Sequence, residues 1–424
     1  MDTIFALSSG SPPAGIAVVR ISGPRAGAAL EALAGRIPEP RRARLTVLRD
    51  PAGEMLDQGL VLWFPGPATA TGEDLAELHL HGGRAVVAAV EGVLAAIPGL
   101  RRAEAGEFTR RAFVNGRIDL AEAEGLADLL AAETEIQRRV AIRLAGGALS
   151  RQVESWRERL LRLSAQIEAM LDFEDEADVG VLPASFPFEI SELRNEIGGA
   201  LDAPSAEALR EGFRVALAGP PNIGKSTLFN ALVESEAAIT APLAGTTRDV
   251  IERPVALAGI PFTFVDMAGL RAVGSDSVEA IGIGRARSEM ERADLVLWLG
   301  PEGEGPAGAW EIEPRIDEAG HSPKVEARHR VSAVTGANLA ALRRDLVSQA
   351  RSAMPRPGDA ALNRRQRALL ASAHDVLGSA RGESNPLLVA EALRQARLAF
   401  DRLTGRASTE DVLDALFGRF CIGK

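Results

Sequence analysis

Apolar and polar residues alternate in short runs along the first part of the chain. Residues 15–21 (GIAVVRI) and 59–64 (GLVLWF) are rich in β-branched and large apolar side chains, which is typical of strands. Two stretches with helical spacing and many Gly/Pro turns accompany them. This pattern predicts an α+β domain over residues 1–118. Residues 85–100 form the longest apolar run, which one Glu and one Pro interrupt, and they predict a buried helix.

A helical pattern begins near residue 119 and returns near residue 349. Apolar residues at steps of three and four predict one stripe on a long helix: Val153, Trp156, Leu160, Leu163, Ile167 and Met170. Further helices are predicted at residues 369–377, 387–400 and 412–417. Ser408 together with Asp411 predicts a capping box at the start of the last helix.

Between the two helical parts, the pattern changes at residue 212 to strand, Gly-rich loop and helix. Neither helical part has an obvious reason to be stable alone, and insertion of a module at a loop tip is tolerated. We therefore predict a multidomain chain with an α+β N-terminal domain, an all-α helical domain split in sequence and an inserted α/β domain. The predicted boundaries are 1–118, 119–211, 212–348 and 349–424.

The composition narrows the classes of function. A net charge of −10 disfavours indiscriminate nucleic-acid binding, because phosphate affinity comes mostly from lysine and arginine. A nucleic-acid substrate would need a local basic patch or a second protein. Cys421 is the single cysteine, which excludes an internal disulfide and suits a reducing cytosol. The first residues lack the basic region of a signal peptide, so we expect a cytoplasmic protein without a membrane span.

A full phosphate-loop motif, G-x-x-x-x-G-K-S, occupies residues 219–226. It follows a predicted buried strand and precedes an amphipathic helix, which is the context that the motif requires. The glycines let backbone N–H groups surround the β-phosphate, Lys225 bridges the β- and γ-phosphates, and the Ser226 hydroxyl ligates Mg²⁺. The predicted nucleotide contacts of this loop are Asn222, Ile223, Gly224, Lys225, Ser226 and Thr227.

Two switch motifs follow in the order found in GTPases. Residues 245–249 (GTTRD) supply Thr246 and Thr247, and the Thr247 hydroxyl is placed where a switch I loop closes on Mg²⁺. A predicted strand then ends in D-x-x-G. Its Asp266 touches the Mg²⁺ shell, and the Gly269 N–H senses the γ-phosphate. These motifs predict that the inserted α/β domain is a P-loop (Ras-like) GTPase domain.

The base-contacting motifs are only partly kept. Ser332 and Ala333 begin an S-A-x-T-G loop that contacts the base. In place of N-K-x-D stand residues 314–317 (PRID), where Asp317 can accept from the guanine edge and the Arg315 stem can stack on the base. A proline cannot replace the Asn. The surrounding segment is too short and too rich in Gly and Pro for the usual helix, so we expect a trimmed module that binds guanine nucleotides weakly.

The hydrolysis machinery departs from the Ras-like scheme. The residue after D-x-x-G is Leu270, which cannot orient water as the usual Gln does. The module is therefore a slow switch, or another group reaches the water. The downstream acidic candidates are Asp276, Glu279 and Glu289, and the alternative is that they are solvated charges on a switch helix.

Several motifs together resemble one known family. They lie at residues 241–249, 278–285 and 420–424 (FCIGK), and in the first domain at 64–67, 71–74, 81–83 and 106–109. On these motifs the chain resembles the MnmE (TrmE) family of bacterial tRNA-modification GTPases over essentially its whole length.

The resemblance implies a potassium site in place of an arginine finger. Its ligands would be the Asn222 side chain and the carbonyls of Ala241, Leu243 and Thr246, and K⁺ would stabilise charge between the β- and γ-phosphates. Glu279 would orient the water. The G domains of a homodimer would meet across their switches.

The resemblance also implies a second chemistry in the first domain, which would dimerise and bind a 5-formyl-tetrahydrofolate-type one-carbon donor. The matching contacts are Arg20, Glu77, Arg117 and Lys424. Arg117 stands where the family usually has Lys, which keeps the charge but changes the geometry. With a flavoprotein partner of the MnmG type, the family installs an aminomethyl-type group at C5 of the wobble uridine of certain tRNAs.

Two other functions stay open. A GTP-dependent ribosome-assembly factor or switch without covalent chemistry would share the GTPase motifs but would not need Arg20 and Glu77. A scaffold with a decayed G domain would explain Pro314, but intact Lys225 and Asp266 oppose it.

The sequence leaves the role of one cysteine undecided and argues against metal binding by two histidines. Cys421 is either a buried small apolar residue or a reactive thiol. His79 and His81 share a strand face, but without further His or Cys nearby we do not expect them to bind a metal.

Overall fold

The structure is a computed structural model, and it describes residues 2–172, 182–233, 251–267, 288–321, 323–355 and 361–424. The chain forms two compact units, which are described separately. The first comprises Met1–Ala127, Leu144–Glu158 and Arg397–Lys424, and the second comprises Asp128–Arg143 and Arg159–Ala396. Both units therefore combine segments that are far apart in the sequence.

The described residues of the first unit centre on a six-stranded mixed sheet. Its strands are β1 Thr3–Leu7, β2 Ala14–Ser22, β3 Arg44–Arg49, β4 Met55–Phe64, β5 Leu75–Gly82 and β6 Leu100–Arg102. They lie in the order β3-β4-β5-β2-β1-β6, and all pairs are antiparallel except β1 with β6. The two strands predicted from alternating residues are confirmed as parts of β2 and β4.

Helices account for much of both units. In chain order the described helices are α1 Ala26–Ala34, α2 Arg84–Ala96, α3 Glu107–Val114, α4 Leu120–Ala131, α5 Glu135–Ala145, α6 Ala148–Asp172, α7 Phe186–Asp202, α8 Ala206–Glu211, α9 Lys225–Val233, α10 Leu339–Ala353, α11 Arg364–Ala380, α12 Pro386–Thr404 and α13 Glu410–Phe417. The later helices confirm the helical pattern that returns near residue 349.

Helices α1 and α2 pack on one face of the first sheet, and α3 packs on the other. The prediction of a buried helix at residues 85–100 is wrong in extent, because α2 buries only one stripe: Val87, Val90 and Leu94. Most of the alanines between them face solvent, where a methyl side chain costs little. On the opposite face, Phe108 of α3 packs against Ile4 and Ala6 of β1.

The apolar stripe of α6 is confirmed. Every predicted member from Val153 to Ile167 is buried, and Met170 is half-buried. Spacing of three and four places these side chains on one side of the helix, where they can be removed from water together.

The capping box predicted at the last helix is wrong. The N-cap residue of α13 is Thr409, which makes no side-chain capping hydrogen bond. Ser408 Oγ instead donates to the Gly405 carbonyl at 3.2 Å. A capping box is present at α11, where Asn363 Oδ1 accepts from the Gln366 N–H at 2.9 Å and Gln366 Oε1 accepts from the Asn363 N–H at 3.1 Å.

The described part of the second unit contains the inserted α/β module. Its strands are β7 Phe213–Ala218, β8 Ile251–Leu257, β9 Ile260–Asp266, β10 Leu295–Trp298, β11 Trp310–Glu313 and β12 His329–Arg330. They lie in the order β12-β11-β10-β7-β9-β8, parallel except for the β8–β9 hairpin. All six residues of β7 are buried, which confirms the predicted strand before the phosphate loop.

The expected shortening after β10 is confirmed, because the described residues between β10 and β12 contain strand β11 and no α-helix. A Gly/Pro-rich loop wraps the Trp298 indole instead. A Cβ added at Gly300 or Gly305 would lie 2.6 or 2.7 Å from that ring. The Trp298 Nε1–H also donates to the Pro301 carbonyl at 2.8 Å, so one aromatic side chain and its loop fill the space.

No helix in the described part of the chain is both long and apolar enough to cross a membrane.

Candidate functional site

Strand β7 leads directly into the phosphate loop, residues 219–224. Gly219, Asn222 and Gly224 have left-handed backbones, with φ of 141°, 60° and 103°. Loops of this kind present several backbone N–H groups to one anion. A Cβ at position 219 would lie 2.8 Å from the backbone nitrogen of Gly300, so glycine is required there.

Lys225 opens helix α9 and carries the positive charge of this loop. It is only 6% exposed, and its ammonium donates to the carbonyls of Gly219 at 2.9 Å and Pro220 at 2.7 Å. Ser226 and Thr227 beside it are exposed. A buried cation next to exposed hydroxyls at a helix N-terminus suits a phosphate with a metal ion.

Asp266 is the last residue of β9 and lies in register with Leu217 of β7, close to the start of the phosphate loop. It is buried. The other predicted switch, potassium and hydrolysis residues lie outside the described residues: Ala241, Leu243, Thr246, Thr247, Gly269, Leu270, Asp276 and Glu279.

Glu289, the third acidic candidate for hydrolysis, is held in an ion pair. Its Oε2 lies 2.9 Å from Nη2 of Arg214, a buried residue of β7 whose Nη2 also lies 2.8 Å from Oε1 of Glu252. In this position the Glu289 carboxylate neutralises a buried guanidinium.

The two predicted base-contacting loops leave neighbouring strands. Asp317 is exposed after β11, and Ser332 and Ala333 follow β12. The Ile316 N–H donates to the Val331 carbonyl at 3.4 Å, which joins the two loops.

Two further contacts complete this end of the sheet. Arg315 lies over the phosphate loop, since a Cβ at Gly224 would be 3.2 Å from its Nε. Ser332 is fully buried, and its Oγ accepts from the Thr335 N–H at 3.0 Å. The phosphate loop, Arg315 and the two base loops therefore share the carboxyl edge of the parallel strands, where ligands of α/β sheets bind.

In the first unit, Arg20 and Glu77 form a cross-strand pair between β2 and β5. Arg20 Nη2 and Nε donate to Glu77 Oε1 at 2.8 and 3.0 Å. Burial works against ionisation of Glu77, but the hydrogen bond and charge of Arg20, followed by those of His79, lower its pKa. The Arg20 guanidinium also lies 5.8 Å from the ring centre of Phe108.

The other two predicted folate contacts lie on segments around the same sheet. The Arg117 Nε donates to the Thr69 carbonyl at 3.1 Å. Lys424 is half-buried and follows Gly423, where a Cβ would lie 2.1 Å from the Leu7 carbonyl oxygen. Within the described residues, neither Arg117 nor Lys424 forms a hydrogen bond with the Arg20–Glu77 pair.

Cys421 and the histidines have defined surroundings. Cys421 is exposed, so the alternative of a buried apolar residue is wrong. His79 Nε2 lies 3.3 Å from Glu77 Oε2, and His81 Nδ1 lies 2.7 Å from Asp57 Oδ1. The described residues contain no group of three His, Cys, Asp or Glu side chains that could hold a metal.

Comparison with known proteins accounts for the whole chain. The family model "GTP-binding protein TrmE N-terminus" matches residues 3–117, and the "MnmE helical domain" model matches residues 120–421. The tRNA modification GTPase MnmE of Novosphingobium aromaticivorans is 62% identical over 435 residues, covering 100% of both chains. The same-named protein of Erythrobacter litoralis is 62% identical over 424 residues, again covering 100% of both.

The chain belongs to the MnmE (TrmE) family of tRNA modification GTPases. The resemblance inferred from the short motifs is confirmed, and so is the class of enzyme, a GTP hydrolase. Among solved structures, the G domain of the T. maritima FeoB iron transporter matches 32% of this chain and 98% of that one. It is 26% identical with a TM-score of 0.24, and this weak superposition adds nothing to the family assignment.

Sequence reasoning missed a network of polar side chains that begins on β2 and joins it to distant segments of the first unit. Ser22, two residues after Arg20, lies 2.7 Å from Thr71 Oγ1 and donates to Glu73 Oε2 at 2.8 Å. Glu73 in turn accepts from Arg111 at 3.0 Å. Thr71 and Glu73 lie in the motif at residues 71–74, but the motif alone did not show their partners Ser22 and Arg111, which come from distant segments.

Proposed function

We propose that this chain hydrolyses GTP in a potassium-dependent reaction and, with a flavoprotein of the MnmG type, modifies C5 of the wobble uridine of certain tRNAs. The added group would be of aminomethyl type, with its carbon from a 5-formyl-tetrahydrofolate-type donor. The observation that carries the proposal is the phosphate loop, where the buried Lys225 ammonium rests on loop carbonyls at 2.7 and 2.9 Å. Membership of the MnmE family supports the tRNA substrate.

In the nucleotide site, Lys225 exchanges its two carbonyl partners for oxygens of the β- and γ-phosphates. The hydroxyls of Ser226 and Thr247 hold Mg²⁺, and Asp266 holds its water shell. When bound, Mg²⁺ neutralises charge on the two phosphates. The exposed Ser226 hydroxyl beside the buried Lys225 supports these roles.

Asn222 and the carbonyls of Ala241, Leu243 and Thr246 would hold K⁺, which would supply positive charge to the phosphates during hydrolysis. Glu279 orients the attacking water. The G domains of two copies meet to complete both sites. The left-handed, exposed Asn222 at the tip of the phosphate loop supports its part in this scheme.

In the first unit, Arg20, Glu77 and Arg117 would contact the folate donor, with Lys424 nearby. The folate supplies a one-carbon unit when bound. A guanidinium beside a carboxylate offers donors and acceptors side by side, as the polar edge of a pterin ring requires. The half-buried Arg20–Glu77 pair supports this role.

We further propose the four-part division at residues 118, 211 and 348, a homodimer, and a cytoplasmic location. The boundary between the two family models, at residues 117 and 120, supports the first division. The net charge of −10 favours a partner that carries the basic surface for tRNA.

A reconstituted reaction tests this function. Undermodified tRNA is incubated with the protein, its flavoprotein partner, GTP and the folate donor, and the wobble uridine is analysed by mass spectrometry. Lys225→Ala should abolish both GTP turnover and modification, whereas Glu77→Gln should abolish modification and leave GTP turnover unchanged. Turnover without any modified uridine in the wild type would favour a GTP-dependent switch or assembly factor.

A further inference from the structure

The two base-contacting loops are joined beneath by one cross-strand pair. Glu313 is the last residue of β11 and Arg330 is the last residue of β12, and the two are register partners. Arg330 Nε donates to Glu313 Oε2 at 3.0 Å. Residues 314–317 leave the sheet directly after Glu313, and the loop that begins at Ser332 follows Arg330 by two residues. This pair therefore lies at the base of both loops.

Glu313 is a buried carboxylate with several donors. Only 2% of it is exposed, and it accepts from His321 Nε2 at 2.9 Å and from the Lys324 backbone N–H at 3.0 Å, in addition to Arg330. Burial opposes ionisation, but these hydrogen bonds lower the pKa of Glu313. A charge satisfied in this way fixes the positions of its partners.

His321 closes the segment that carries Asp317. Its Nε2 contacts Glu313 at one end of the segment, and its Nδ1 lies 3.2 Å from the Glu318 carbonyl, one residue after Asp317. The His321 N–H donates to the same carbonyl at 3.2 Å. Residues 313–321 thus form a closed ring whose polar centre is the Glu313 carboxylate.

The described segment around β11 lacks the helix that usually makes this part of a GTPase domain rigid. The described residues on either side of β11, between Trp298 and His329, contain no α-helix, so hydrogen bonds to side chains hold the loops. Glu311 accepts from Lys324 Nζ at 2.6 Å and from the Gly303 N–H at 3.1 Å, which ties together the two segments around β11. Glu311 contacts neither base loop by hydrogen bond.

We propose that Glu313 is a positioning residue for guanine recognition, which holds the loops of Asp317 and Ser332 in register through Arg330 and His321. The inference rests on the proposed guanine-nucleotide function and deepens it. Asp317 accepts from the ring N–H and the exocyclic amine of guanine, so displacement of its loop weakens both hydrogen bonds. Glu313 is buried at the base of both loops, so its carboxylate acts on them through Arg330 and His321.

The test compares the affinities of full-length variants for GDP and IDP, whose base lacks the exocyclic amine. Glu313→Gln should raise the Kd for GDP on the order of tenfold, because a charged set of hydrogen bonds is weakened. The preference for GDP over IDP should fall toward unity. Glu311→Gln, on the same strand, is the matched control and should leave both quantities unchanged.

Three outcomes would contradict the inference. An unchanged Kd and GDP preference in Glu313→Gln would overturn it. Equal losses for GDP and IDP, matched by Glu311→Gln, would show a purely structural role. If Glu313→Gln does not fold, the same measurements are made on Arg330→Gln, whose substituted side chain is half-exposed. An unchanged preference for GDP over IDP in that variant would overturn the inference. A wild-type protein that binds no guanine nucleotide would overturn the proposed function itself.

Discussion

At the scale of single residues, buried charges in both units have more than one partner. Lys225 rests on two carbonyls, Glu77 contacts Arg20 and His79, and Glu313 accepts from three donors. An unpartnered buried charge costs several kcal/mol, so such sets are stable only when complete. The sequence showed Lys225 through its motif, and Glu77 only through the family resemblance. It did not show Glu313, whose partners follow it by eight to seventeen residues in segments without a helical pattern.

The Arg20–Glu77 pair predicts an acid dependence of stability. The lowered pKa of Glu77 stabilises the folded protein above the unfolded-state pKa of about 4.3, and this contribution is lost as pH falls through the folded-state pKa. Arg20→Gln removes the largest of the effects that lower this pKa and leaves burial opposed only by His79. Arg20→Gln should therefore lower the Tm at about pH 7 and reduce the further loss of Tm as the pH falls below about 4.

Arg42→Gln is the control for that comparison. Arg42 pairs with Glu39 at 3.0 Å, but both side chains are largely exposed, so little stability depends on the pair. Thermal unfolding followed by circular dichroism measures both variants. An acid-induced loss of Tm in Arg20→Gln as large as in the wild type would contradict the assignment.

The Gly/Pro loop around Trp298 predicts a packing effect. Gly305→Ala would place a Cβ 2.7 Å from the indole, and overpacking of this kind should lower the free energy of unfolding by about 1–3 kcal/mol. Gly199 of α7 has open space around its Cβ position, so Gly199→Ala should be neutral or stabilising. Denaturant unfolding measures the free energy of unfolding of both variants. An unchanged value in Gly305→Ala would contradict the prediction, because it would mean that the loop moves to accommodate the added methyl group at no cost.

At the scale of elements, periodicity predicted which segments are helices and strands, and it failed at their ends and on their outer faces. Strand β7 and the stripe of α6 follow directly from runs and spacing of apolar residues. The extent of burial of α2 could not be predicted in this way, because alanine occurs on both the buried and the exposed faces of helices. The cap of α13 was misplaced by one residue, since Ser408 and Thr409 are both good capping residues and tertiary contacts decide between them.

The two helix starts predict different costs for the loss of a capping side chain. Asn363→Ala removes the hydrogen bond that the Asn363 side chain accepts from the Gln366 N–H, while the Asn363 N–H still donates to Gln366 Oε1, and it should lower the free energy of unfolding by about 0.5–2 kcal/mol. Thr409→Ala removes no capping hydrogen bond and should change the free energy of unfolding by only about a few tenths of a kcal/mol. Equal losses in the two variants, measured by urea unfolding, would contradict this difference.

At the scale of the whole molecule, the nucleotide-binding loops and the proposed folate contacts Arg20 and Glu77 belong to separate compact units. The phosphate loop and base loops belong to the second unit, and the Arg20–Glu77 pair belongs to the first. The phosphate loop was predictable because its chemistry needs fixed residues at fixed spacing. The potassium, water-orienting and folate roles came from family resemblance, because single carbonyls and surface charges carry no such spacing.

We propose that a monovalent cation replaces an arginine finger in this GTPase. The most direct measurement is GTP turnover in KCl and in NaCl at equal ionic strength, with Glu279→Ala beside Asp276→Ala as its matched control. The account predicts turnover that requires potassium, is lost in Glu279→Ala and is kept in Asp276→Ala. Equal turnover in the two salts, or turnover that survives Glu279→Ala, would contradict it.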